Sequence, residues 1–178
     1  MALDDLTYAP VGATRARAGA AWARAGVPQG YRVLHVRHRV ARGGGETARA
    51  ALADDLRTWR VHREAGVRLR VAGPAIPGAR VVTLLGRGPA TLHAPCRVVW
   101  VDDQGFGYGT LPGHPVEGEE AFRAVLRDGD VWLEVEAYSR PAWAWAWARV
   151  LGPVMPIGQR LYVRVLARAA RRLHRRRA

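Results

Sequence analysis

The chain has 178 residues, 49% of them apolar, one cysteine (Cys96) and a formal net charge of +13. That length suits one domain and buries roughly 70% of the surface that the unfolded chain exposes, so residues 1–178 are expected to form a single domain. A lone cysteine excludes an intrachain disulfide, and no stretch approaches the roughly 20 uninterrupted apolar residues of a membrane-spanning helix.

The first ten residues, MALDDLTYAP, carry acids where a secretory signal would carry positive charge, so no signal peptide is expected and the cytoplasm is the default compartment. All 28 basic residues are arginine. A GC-rich genome accounts for such a bias, and attraction to phosphates or anionic lipid is its functional counterpart. Seven of the arginines follow residue 163, which marks 164–178 as an Arg-rich helix end. Within it Arg168, Arg171, Arg172, Arg175, Arg176 and Arg177 are the candidates for weak, nonspecific contact with a polyanion or an anionic membrane.

Residues 1–30 form an N-terminal segment in which Thr14–Ala25 reads as a short Ala-rich helix carrying Trp22, closed by Gly26 and Pro28. From Tyr31 the period becomes two: Leu34, Val36, His38 and Val40 share one face of a strand, and His35, Arg37 and Arg39 share the other. Three glycines at 43–45 end it, and Glu46–Glu64 follows as one helix with Leu52, Leu56 and Trp59 on its apolar face. Short strands then alternate with breakers: Val67–Val71, Ala79–Gly86, Thr91–Val101, Phe106–Leu111, Ala121–Leu126 and Val131–Ser139. Asp102–Gly105 and Asp128-Gly129-Asp130 read as hairpin connections. Pro141 introduces a helical C-terminus in which Trp143, Trp147 and Leu151 share a face, Trp145 points elsewhere, and Gly152, Pro153 and Pro156 are expected to break or kink the helix.

The order strand, helix, six strands, long helix predicts an α+β fold. The expected form is a helix grip, a curved antiparallel sheet of about seven strands around a long C-terminal helix, an arrangement that commonly leaves a cavity between the two. Leu52, Leu56, Val99, Leu133, Val135, Trp147 and Leu151 are the expected core.

Five segments carry a family resemblance: YRVLHVRHRV at 31–40, WRVHREAGV at 59–67, GFGYGTLPGHPVEGEEAF at 105–122, LEVEAYSRP at 133–141 and GPVMPIGQR at 152–160. Together they resemble the domain-of-unknown-function 1990 family, also called uncharacterised protein family 0548, over roughly residues 6–173. That family is similar to the helix-grip superfamily of lipid-transfer START domains, polyketide cyclases and pollen-allergen-like proteins. The resemblance implies the same fold as the periodicity and carries no catalytic roles with it. Pro156 departs from a segment that the family continues as helix.

Polar chemistry concentrates in His114, Glu117, Glu119 and Glu120. Histidine beside carboxylates suits acid–base work or metal ligation, although Gly113-His114-Pro115 is also turn chemistry and acids at a turn are commonly solvated. His62, near Trp59 on one helix, reads as a core residue or as a polar group reaching a ligand. Cys96 reads as a small buried hydrophobe, Ser139 lies outside any nucleophile elbow, and GlyGlyGlyGluThr at 43–47 lacks a phosphate-loop ending. No catalytic residue, metal or cofactor is assigned. The candidate ligand-binding set is His62, His114 and Glu119 as polar groups with Trp59, Trp100 and Tyr108 as wall. The function expected is binding of an apolar or amphipathic small molecule. A cyclase-like or hydrolytic enzyme using His114 and Glu119 is the first alternative, and an anionic-surface or nucleic-acid binder using the arginines is the second.

Overall fold

The structure, a computed structural model, describes residues 5–16, 29–86, 88–142 and 155–177. Its strands are β1 (Arg32–Ala41), β2 (Arg68–Val71), β3 (Arg80–Leu85), β4 (Leu92–Val101), β5 (Gly105–Thr110), β6 (Val116–Arg127) and β7 (Asp130–Pro141). Its helices are α1 (Ala13–Ala16), α2 (Gly45–Arg57), α3 (Arg60–Glu64) and α4 (Met155–Arg175). The seven strands form one curved antiparallel sheet in the order β1-β7-β6-β5-β4-β3-β2. Each strand from β2 to β7 therefore pairs with its chain neighbour, and β1 closes onto the far edge of β7.

The turns follow from local chemistry. Asp128 and Gly129 connect β6 to β7 with φ of 52° and 77°, the pair of positive values that a two-residue turn matching the strand twist requires. At the β4–β5 connection the Asp102 carboxylate accepts the N–H groups of Gln104 and Gly105, both at 3.0 Å, which folds the chain back on itself.

The predicted single helix over 46–64 is two helices. Thr58 closes the first, and Trp59 takes a left-handed conformation with φ 62° before α3 begins. A non-glycine residue is strained there. Burial of the indole offsets the strain: Trp59 packs edge-on against Phe106 at 4.8 Å, and its Nε1–H donates to the Gly73 carbonyl at 3.0 Å. β6 begins five residues earlier than the sequence suggested, because the pairing with β7 extends from Val116↔Pro141 along its whole length.

One face of the sheet packs against α2, α3 and α4. Leu52, Leu56, Leu133 and Val135 are buried there as expected, with Val98, Phe106 and Phe122 from the sheet and Val163, Leu166 and Ala170 from α4. Val99 is half-buried instead, because it sits at a bulge: Val98 pairs with Tyr108 and Trp100 with Gly107, so Val99 is the extra residue. Pro156 stands in the first turn of α4, where backbone N–H groups have no intrahelical acceptor and a missing donor is harmless. The expectations for Trp22 and for Trp143, Trp145, Trp147, Leu151, Gly152 and Pro153 lie outside the described residues.

The other face of the sheet carries a buried polar layer beneath residues 5–16. Glu119, Arg123, Glu136 and Tyr138 project from alternate positions of β6 and β7, opposite to Phe122, Ala124 and Val135. Arg123 donates to Glu136 at 2.9 Å and lies over the Trp100 ring at 4.7 Å. The sequence GFGYGT makes room for this layer, since a methyl group at Gly107 would overlap the Trp100 indole and one at Gly109 the Tyr8 ring.

Candidate functional site

Between the N-terminal turns of α4 and strands β3–β6 lies a cavity of about 480 Å³. Its walls are chiefly apolar and include Leu85, Leu92, Ala94, Pro115 and Val116. Polar groups enter from five directions: Thr83 from β3, Tyr108 from β5, Glu120 from β6, His114 from the β5–β6 loop, and Gln159 and Tyr162 from α4. A smaller annex of about 50 Å³ shares Tyr108, His114, Glu120 and Gln159 with it.

The loop is built by a proline–glycine turn. Leu111-Pro112-Gly113-His114 closes with the His114 N–H donating to the Leu111 carbonyl at 3.1 Å, and Gly113 has φ 92°. This turn sets the His114 ring against the cavity, with Nδ1 2.8 Å from the Val116 carbonyl. Burial pulls the His114 pKa down to about 4, so the ring is neutral at neutral pH.

The Tyr108 hydroxyl donates to Glu120 Oε2 at 2.8 Å. Burial pushes the Glu120 carboxyl up to about 7, opposed in part by that hydrogen bond. The Tyr108 phenol is raised well above its ordinary value by burial and then by the Glu120 charge, and Tyr162 is raised for the same two reasons. Glu120 and the neutral phenols thus form one polar cluster on an apolar wall. Gln159 donates through Nε2 to Ser139 Oγ at 3.3 Å.

Of the six candidate ligand-binding residues, Tyr108 and His114 line this cavity, and four do not. Trp59 is a core side chain. His62 is buried beside it with no hydrogen bond to either ring nitrogen among the described residues, 5.0 Å from the Phe122 ring centroid, and burial lowers its pKa to about 3. Trp100 is turned to the opposite face by the bulge at Val99 and donates to Thr14 Oγ1 at 2.9 Å. Glu119 borders the annex, but both of its oxygens are held from the N-terminal segment: Tyr8 Oη and Gly12 N donate to one at 2.9 and 2.7 Å, and Thr14 N donates to the other at 2.9 Å. This carboxylate ties down the N-terminal segment and has no oxygen free for acid–base work in the cavity.

Gln159 and Tyr162 are the site residues that sequence reasoning missed, and Glu120, named in the polar cluster, was passed over in favour of Glu119. The signal for Glu120 was present. It lies two residues before Phe122, a core aromatic, so period two puts it on the cavity face and Glu119 on the other.

The C-terminal arginines are largely engaged within the molecule. Arg172 and Arg176 reach the Glu64 carboxylate at 2.8 and 2.9 Å, Arg177 grips buried Asp55 with two hydrogen bonds of 2.5 and 2.6 Å, and Arg171 donates to the Arg39 carbonyl at 2.8 Å. Arg168 and Arg175 remain exposed. Among the described residues His35, Glu134 and Glu136 are grouped closely enough to share a metal ion, but Arg37 and Arg123 already occupy the two carboxylates. No described helix is long and apolar enough to cross a membrane.

A sheet wrapped on a C-terminal helix with a cavity between them defines the helix-grip class. Within that class the chain belongs to the family described as Domain of unknown function (DUF1990), which it matches over residues 7–169. It is 38% identical over 173 residues to a UPF0548 protein of Deinococcus radiodurans, a match covering 84% of this chain and 79% of the relative. Among solved structures it resembles a protein of Thermus thermophilus with a TM-score of 0.62 and 10% identity, over 83% of this chain and 99% of the other. It also resembles norcoclaurine synthase from Thalictrum flavum in complex with dopamine and hydroxybenzaldehyde, with a TM-score of 0.54 and 13% identity over 80% and 86% of the two chains. At these identities the likeness to solved structures is one of fold.

Proposed function

We propose that this protein, as a single cytoplasmic domain, binds an apolar or amphipathic small molecule in the cavity between α4 and the sheet. The observation that carries this reading is the cavity itself: about 480 Å³, with mostly apolar walls and one hydrogen-bonded polar cluster. Ligand sites of roughly 300–1,000 Å³ have that composition, with burial of apolar surface contributing about 25 cal/mol per Å² and a few polar groups fixing orientation.

Gly158 provides the test. It lines the cavity from α4, and a Cβ added there meets no atom within 4 Å. Gly158→Trp should fill the cavity mouth and abolish binding of N-phenyl-1-naphthylamine, an uncharged fluorescent probe, while the protein stays folded. Probe binding unaffected by Gly158→Trp would sink the cavity as the site.

A second reading, acid–base chemistry on the bound molecule, draws on Glu120 rather than Glu119, because burial holds Glu120 near neutral pH. Native mass spectrometry of protein from its own host separates the two readings. A binding protein releases its molecule unchanged, and an enzyme releases it altered in mass or connectivity.

A further inference from the structure

We propose that the cavity selects apolar molecules bearing a protonated amine, with the ammonium seated against the Glu120–Tyr108 pair. The proposal rests on the cavity reading above and adds the chemical class of the ligand.

The first argument is how this chain treats its carboxylates. Four of the described ones are fully buried, and each is met by a cation or by several donors. Asp55 has Arg177 and Arg60, Glu134 has Arg37, Glu136 has Arg123, and Glu119 has the donors of the N-terminal segment. Glu120 faces an apolar cavity with a single tyrosine hydroxyl as its hydrogen-bond donor among the described residues. In a chain with 28 arginines, no arginine is among the described cavity-lining residues. A desolvated carboxylate without a counter-ion is costly, and a bound ammonium removes that cost.

The second argument is the donor and acceptor balance. The Tyr108 O–H is spent on Glu120 Oε2 and one of the two Gln159 amide N–H groups on Ser139, which leaves Glu120 Oε1, the charged oxygen of the cluster, as the acceptor facing a ligand. A ligand completes this cluster by donating, and an ammonium donates up to three times. Neutral His114 does not repel it. A ligand carboxylate would instead meet Glu120 as a like charge.

Among the described residues, the charged and titratable groups facing Glu120 are Tyr108 from β5, Tyr162 from α4, Cys96 from β4 and His114 from the loop. The phenols and the thiol are held in their neutral forms by burial, so Glu120 is the group that changes charge when the amine arrives. Because its carboxyl rests near 7 with only the Tyr108 hydroxyl against it, capture of an ammonium at pH 6.5 should release a proton.

The experiment uses the full chain and three molecules on one skeleton: 1-naphthylmethylamine, 1-naphthalenemethanol and 1-naphthoate, each displacing N-phenyl-1-naphthylamine at pH 7.5. The amine is expected to bind about ten-fold or more tightly than the alcohol, and the carboxylate least. Glu120→Gln should bring the amine down to the alcohol and leave the alcohol unchanged. Should that variant not fold, titration calorimetry of the wild type at pH 6.5 in two buffers of different ionisation heat reads the same point, with proton release expected for the amine and none for the alcohol. An amine that binds no better than the alcohol, or a preference that survives Glu120→Gln, or amine binding without proton release, overturns the proposal. Alcohol binding alone would leave the cavity reading standing, whereas failure of the probe itself to bind would remove both.

Discussion

At the residue scale, Glu120 and His62 put buried titratable groups to opposite tests. The Glu120 carboxyl is raised from 4.5 to about 7, so the folded state holds its proton over a window in which the unfolded state has lost it. Below pH 4.5 both states are protonated and nothing is lost. Above about 7 both are ionised and burial is fully unfavourable, by up to about 3 kcal/mol. Glu120→Gln should therefore raise stability at pH 8 and not at pH 4, as urea unfolding across that range would read; an equal gain at both would show the carboxyl to be solvated. The histidines carry the reverse sign in the same titration. His62 and His114 are lowered from 6.5 to about 3 and about 4, so the unfolded state takes up their protons first and stability falls as pH drops below 6.5, at about 1.4 kcal/mol per pH unit for each while the window lasts.

At the element scale, strand β5 shows how a short glycine-rich strand holds two layers apart. Phe106 and Tyr108 face the helices, while Gly107 and Gly109 on the other side leave space that Trp100 and Tyr8 fill. Gly107→Ala should force the Trp100 indole out of its bond to Thr14 and destabilise by about 1–3 kcal/mol. Trimming the partner should relieve the clash, so the double variant Gly107→Ala/Trp100→Leu should lose less than the sum of the two single losses. Additive losses in a double-mutant cycle would show that the two positions are not in contact. The same layer explains why the N-terminal segment belongs to the fold: its Tyr8, Gly12 and Thr14 supply the donors that keep buried Glu119 paired.

At the scale of the whole molecule, the excess of arginine is spread over the surface and partly consumed in holding the C-terminal helix. Arg177 and Arg60 neutralise buried Asp55, and Arg172 and Arg176 converge on Glu64 of α3. Polyanion contact then belongs to the field of the chain as a whole, with Arg168 and Arg175 contributing as two exposed charges among many. Replacing both by alanine should lower the salt needed to elute the protein from heparin only modestly and leave the unfolding midpoint in place. A near-complete loss of retention would make that helix end a dedicated site. Arg177→Ala should instead lower the midpoint, because it removes a bidentate partner from a buried carboxylate.

The sequence by itself determined the order of elements, the hairpins at Asp102–Gly105 and Asp128-Gly129, the turn that carries His114, and the family. These follow from local rules of periodicity, turn chemistry and motif, which act over a few residues. The tertiary structure alone decided the phase of the strands. Period two puts Glu120 on the face of Phe122 and Glu119 on the other, but only the packing of β6 between β5 and β7 under the C-terminal helix makes the Phe122 face the one that meets a cavity. The bulge at Val99 reverses Trp100 relative to Val98, and a bulge is set by the partner strand rather than by the bulged residues. Trp59 breaks its helix because Phe106 and the Gly73 carbonyl, distant in sequence, hold its indole. Each of these outcomes rests on contacts between residues far apart in the chain, which no local pattern encodes.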